Sequence, residues 1–110
     1  MEKINESLAR RIQELQMIEQ TMQNLIIQRQ TFQLELNEIL SAVEELAGAK
    51  DDVFKIVGQI MVKAKKESLE KELKEKKSLL ELRVKNIEKQ EDSMKARLEK
   101  LREEVMKEIR

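Results

Sequence analysis

Histidine, cysteine, tyrosine, tryptophan and proline are all missing from this 110-residue sequence, and glycine occurs only twice. Each gap removes a class of answer. Without cysteine there are no disulfides, and cysteine usage says nothing about redox compartment. Without His, Cys or Tyr, acid–base work near neutrality would fall to carboxylates and lysines alone, so catalysis is not expected. Two isolated glycines cannot make a phosphate-cradling loop, and no cofactor or metal is expected. Two aromatics, Phe32 and Phe54, do not anchor a thick globular core. No apolar run approaches the ~20 residues of a membrane span, and no signal peptide opens the chain. The expectation is a cytoplasmic protein.

Charge of a single sign is missing as well: 22 basic residues balance 22 acidic ones. This neutrality gives no global field for nucleic acid or an anionic membrane, and neither is expected as a partner. The two halves differ. Residues 1–50 hold 5 basic and 8 acidic residues, and residues 51–110 hold 17 and 14, so the halves carry −3 and +3. What remains is aliphatic: Leu, Ile, Val, Met and Ala supply nearly all of the 40% apolar content, alongside 40% charged residues. That alphabet builds regular seams rather than a globule.

The seams are visible. Stepping alternately three and four residues from Leu8 gives Leu8, Arg11, Leu15, Ile18, Met22, Leu25, Arg29, Phe32, Leu36, Ile39, Val43 and Leu46, ten of them apolar. From Leu73 the same stepping gives Leu73, Lys77, Leu80, Val84, Ile87, Glu91, Met94, Leu98, Leu101, Val105 and Glu108, eight of them apolar. Both are the a/d repeat of a coiled coil. Gly48 stands where a helix C-terminal glycine belongs. Glu67–Lys71, Glu70–Lys74, Glu72–Lys76, Glu81–Lys85 and Glu91–Lys95 are i,i+4 pairs on the outer face. Neither helix can bury its stripe alone. Pairing them antiparallel sets positions whose numbers sum to 116 opposite one another, which puts the fold point at Gly58.

Around that point runs "VFKIVGQIMV", residues 53–62, rich in β-branched side chains. With Gly58 and Gln59 as the turn, the flanks predict a β-hairpin with a primed turn. A lone two-stranded hairpin is marginal in water, and its open edges template pairing. Val53, Phe54, Ile56, Val57, Gly58, Ile60, Met61 and Val62 are therefore the candidate assembly residues, joining this chain to other copies or subunits. The organisation expected is one extended domain: an N-terminal helix over 1–47, the assembly element over 48–66 and a C-terminal helix over 67–110. The fold class is an all-α-dominated, long antiparallel two-helix coiled coil with a central hairpin that assembles into an intersubunit β-barrel.

The remaining features take plain readings. Asp51-Asp52 is a polar link between helix and strand. Lys63, Lys65 and Lys66 lack the interleaved aromatics of a nucleic-acid site and read as a solvated strand end. At the far ends of the helices stand Ile4, Leu8, Ile12, Leu101, Val105 and Ile109. Two readings of these six are open: they close the last turns of the coil, or they present an adaptable apolar surface.

"LNEILSAVEEL", then a short acidic link, then "FKIVG", "IMVK" and "KELKEKKSLLELRVKNIEKQE" resemble the β-class subunit of archaeal prefoldin over essentially the whole chain. The connector over 49–65 has room for one hairpin, like the β class; α-class subunits carry two. Met61 stands where a bulkier apolar residue is usual. The resemblance implies a hexamer of two α and four β subunits, with hairpins woven into a double β-barrel bearing six tentacles. It implies an ATP-independent chaperone that captures unfolded polypeptides at the tentacle tips, here the six residues above, and hands them to a group II chaperonin. The rival reading is a structural coiled-coil spacer or filament subunit that binds no client.

Overall fold

The computed structural model describes the backbone of residues 2–109 and the side chains of residues 6–109. The elements run α1 (Glu2–Ala47), β1 (Val53–Val57), β2 (Ile60–Ala64) and α2 (Lys66–Ile109). The two long helices and the central antiparallel hairpin are the fold class that the heptads and the β-branched insert predict. Glu, Gln, Leu, Lys and Met fill both helices, and no proline or glycine lies inside either. In proteins such helices owe more of their stability to tertiary packing than to propensity. Their stability comes from covering the apolar stripe. All twelve seam positions of α1 and all eleven of α2 are buried or half-buried.

The chain forms two compact units. One joins the N-terminal 30 residues to residues from Lys85 onward, and the other is Thr31–Val84. In the first, Ile18, Leu98 and Leu101 make a buried cluster, with Leu15, Met22 and Met94 packed against it. These six are three of the pairs that the antiparallel register sets face to face. Polar pairs flank this seam: Arg97 Nη2 lies 2.8 Å from Glu14 Oε1, and Arg102 Nη2 lies 3.2 Å from Glu19 Oε1. Glu14 and Arg97 both occupy heptad position g, and Glu19 and Arg102 both occupy e. Antiparallel helices bring such like-lettered flanks together, so the charges reinforce the direction and register of pairing.

In the second unit Leu36, Leu46, Leu80 and Val84 are buried. The Arg83 guanidinium lies 5.5 Å from the centroid of the Phe32 ring, where a cation is attracted by the ring face. Helix α1 stops at Gly48, but that glycine has no left-handed φ. Closure is achieved otherwise. Ala49 N–H donates to Leu46 C=O at 3.1 Å, and Lys66 Nζ donates to the carbonyls of Ala47 and Ala49 at 3.3 and 3.1 Å. No basic residue stands in the last turn of α1, so the cation that suits its negative end comes from the start of α2.

Candidate functional site

β1 pairs with β2 through Val53↔Ala64, Phe54↔Lys63, Lys55↔Val62, Ile56↔Met61 and Val57↔Ile60. Gly58 has φ +62° and Gln59 does not have positive φ. Positive φ at the first central residue alone is the type II′ pattern, one of the two turns matched to strand twist. Alternation then sorts the side chains. Phe54, Ile56 and Met61 share one face with Lys63, and Val53, Val57, Ile60 and Val62 share the other with Lys55 and Ala64.

All the candidate assembly residues except Val53 are exposed, Ile56 at 71% and Met61 at 65%. Val53 and Phe54 also line a shallow groove with Ala42, Leu46, Leu69 and Leu73. The two strands form the entire sheet, so each has one edge unpaired. A chain that covers its helical seams thus leaves six large apolar side chains of the hairpin in water. Burying each stabilises by roughly 1.5–3 kcal/mol, which makes this surface a strong candidate for a partner.

Charged side chains hold the hairpin in place. Lys55 Nζ donates to both carboxylate oxygens of Glu72 at 3.4 and 3.2 Å, and Lys63 Nζ lies 3.4 Å from Asp52 Oδ2. With Lys66 on the α1 carbonyls, two of the three lysines read as a solvated strand end are tied to neighbouring groups. Asp52 likewise serves as a local counter-charge, in keeping with the plain reading of Asp51-Asp52.

At the opposite ends of the helices the six candidate residues divide. Leu101 and Val105 are buried, at 7% and 8% exposure, and Leu8 is half-buried. Ile12 and Ile109 are exposed, Ile109 at 62%. The side chain of Ile4 lies outside the described residues. Ile12 and Ile109 both sit at heptad position e, the relation that joins Glu19 to Arg102, so they occupy equivalent flanking positions beside the seam. Met106 adds a further exposed apolar side chain near them.

A charged cluster stands at this end as well. The guanidinium of Arg11 is ion-paired with Glu108 and lies 3.9 Å from Glu104 Oε2. Arg11 and Glu108 are both seam positions, and the register sets Arg11 opposite Val105 and Leu8 opposite Glu108. The same arrangement recurs deeper in the coil, where Arg29 faces Ile87, Leu25 faces Glu91, and Arg29 Nε donates to Glu91 Oε1 at 2.7 Å. Register arithmetic finds both pairs once charged seam residues are compared with the next layer as well as with the residue directly opposite.

An antiparallel helical pair that covers its own seams and exposes an apolar hairpin defines a coiled-coil assembly subunit. The chain belongs to the prefoldin family: residues 9–110 match the family described as Prefoldin subunit. It is similar to the prefoldin subunit beta of Pyrobaculum calidifontis, at 38% identity over 90 residues, covering 80% of this chain and 72% of that one. The prefoldin subunit beta of Saccharolobus islandicus is 35% identical over 106 residues, covering 94% and 84%. The crystal structure of the prefoldin beta subunit from Thermococcus strain KS-1 superposes with a TM-score of 0.87 at 31% identity, over 94% of this chain and 93% of that one. Family membership gives the chain a chaperone-type role as a non-enzymatic component that assembles with other prefoldin subunits. No helix among the described residues is long and apolar enough to cross a membrane.

Proposed function

We propose that this chain is the β-class subunit of a cytoplasmic, ATP-independent chaperone. Four copies join two α-class subunits, their hairpins pair edge to edge in a β-barrel, and the helical arms capture unfolded polypeptides at their tips for delivery to a group II chaperonin. The observation that carries the reading is the contrast in coverage. Seam residues are shielded along both helices, whereas Phe54, Ile56, Val57, Ile60, Met61 and Val62 are left in water on a hairpin with unpaired edges. Such a surface is completed by strands of other subunits. At the far end, Ile12, Met106 and Ile109 offer several weak aliphatic contacts, and multivalent arms amplify weak contacts by about 10²–10⁴.

The test combines mass and capture. The purified chain is weighed by native mass spectrometry alone and with an archaeal α-class subunit, and the complex is added to dithiothreitol-reduced insulin to follow aggregation. Two α and four β subunits and suppressed aggregation are expected. A complex of that mass that leaves insulin aggregation unchanged would favour the spacer reading.

A further inference from the structure

On one flank of the seam in the second unit, Glu35, Glu38 and Ile39 of α1 and Lys76, Leu79 and Arg83 of α2 line a groove. Its α1 side is acidic and its α2 side basic, and Leu79 is 48% exposed. We propose that this groove is a contact between two copies of this chain, packed face to face with their helices side by side. It rests on the proposed assembly through the hairpins, which brings the copies together.

The charges that line the groove are left over from pairing within the chain. Glu35 and Lys76 both occupy heptad position g, as the ion-paired Glu14 and Arg97 do. Lys76 Nζ lies instead 3.9 Å from Glu72, and the Arg83 guanidinium stands over the Phe32 ring. The side chains of Glu35 and Glu38 make no ion pair among the described residues. Glu72 also pairs with Lys55, so the α2 side keeps its basic sign.

This pattern selects the occupant. Two copies meet face to face about a two-fold axis that runs either across the helices or along them. Across, α1 meets α1, and carboxylates meet carboxylates. Along, α1 of each copy lies against α2 of the other. Glu35 and Glu38 then face Lys76 of the second copy twice over, because such an interface is isologous. The same axis leaves both hairpins at one end, where assembly needs them. Complementary charge sets partner and register more than affinity. Exposed pairs are individually weak, so the contact forms where the hairpins already hold the copies close.

Carbodiimide, which joins a carboxylate to an amine in direct contact, tests this. One variant carries Glu35→Lys with Glu38→Lys, and the other carries Lys76→Glu. All four positions changed or faced are exposed side chains, so both variants keep the fold. In either variant alone, positions 35, 38 and 76 bear one sign and cannot be coupled to each other. When the two are mixed equally and assembled with an α-class subunit, links among these positions arise only between chains. Peptide mass spectrometry should find several-fold more of them than in a control mixture of Glu44→Lys with Lys71→Glu, the same design on the opposite flank. Links no more frequent than in that control, within a complex of the expected native mass, overturn the contact and leave hairpin assembly standing. A groove that serves an unfolded client gives that result. Chains that stay single in native mass spectrometry overturn the contact and the hairpin assembly together.

Discussion

Arg29 Nε and Glu91 Oε1 lie 2.7 Å apart across the helical seam, with the Glu91 side chain only 17% exposed. Two charges in adjacent layers of an apolar stripe trade stability for register: the one-heptad slip that sets Arg29 opposite Leu80 and Glu91 opposite Ile18 would separate them and leave each without its partner. Arg29→Leu alone should destabilise by roughly 1–3 kcal/mol, because it leaves a half-buried carboxylate without its partner. Arg29→Leu with Glu91→Leu should recover or exceed the parent stability. Urea unfolding of all four corners at one protein concentration measures the coupling. Additive losses would show that the two side chains act independently.

The two glycines should respond oppositely to alanine. Gly58 has φ +62° and only open space where a methyl group would stand, so its constraint is purely conformational. Gly58→Ala is expected to cost roughly 1–2 kcal/mol. Gly48 has no positive φ, and a Cβ there would approach nothing closer than Glu45 O at 3.8 Å. Gly48→Ala should be neutral or stabilise by about 0.4–1 kcal/mol by restricting the unfolded chain. Thermal unfolding of both variants decides the matter, and equal losses would mean that Gly48 has a role beyond ending α1.

These contrasts show where the sequence was readable. Heptad stepping depends only on side-chain periodicity, so it located the seam residues and the antiparallel register, in which Arg29 and Glu91 fall in adjacent layers. The turn at Gly58 followed from the same arithmetic and from the demand of a tight hairpin for positive φ. Lys55–Glu72 and the Lys66 cap were not readable, because both depend on how the hairpin seats against the ends of α1 and α2. The division of the tip residues was legible in the same stepping, which puts Leu8, Leu101 and Val105 on the seam and leaves Ile12 and Ile109 beside it. Leu101 and Ile109 are equally apolar in composition, and only the helical phase separates a seam position from its flank.

Assembly is tested by charge on the hairpin. Ile56 and Val62 lie on opposite faces, at 71% and 38% exposure. Ile56→Asp with Val62→Asp therefore costs the isolated subunit little, but would place unpaired carboxylates inside any sheet formed with a neighbour. Far-UV helicity should stay close to that of the parent while the oligomeric mass in native mass spectrometry collapses. An unchanged mass would remove the hairpin from the assembly interface.

The capture surface can be divided into its outer and inner parts. Ile12 and Ile109 flank the seam in water, so Ile12→Ser with Ile109→Ser removes apolar contact area while leaving the buried layers of Leu15, Leu98 and Leu101 in place. Val105→Ser instead strikes a side chain 8% exposed, and loosens the coil as well as making it more polar. If clients meet only the outer flank, the double variant should lose most suppression of insulin aggregation and Val105→Ser should lose little. If they enter the seam, Val105→Ser should lose more, because the seam then offers a hydroxyl where a hydrocarbon stood. Each isoleucine contact contributes on the order of 1.5–3 kcal/mol when fully buried, and several arms act together, so losses should be steep functions of the number of arms altered. Lys71→Ser, Glu75→Ser and Glu81→Ser on the exposed face of α2 serve as the control and should suppress aggregation as the parent does. Should both tip variants match that control while remaining assembled, the helix ends only close the coil, and capture belongs elsewhere on the complex.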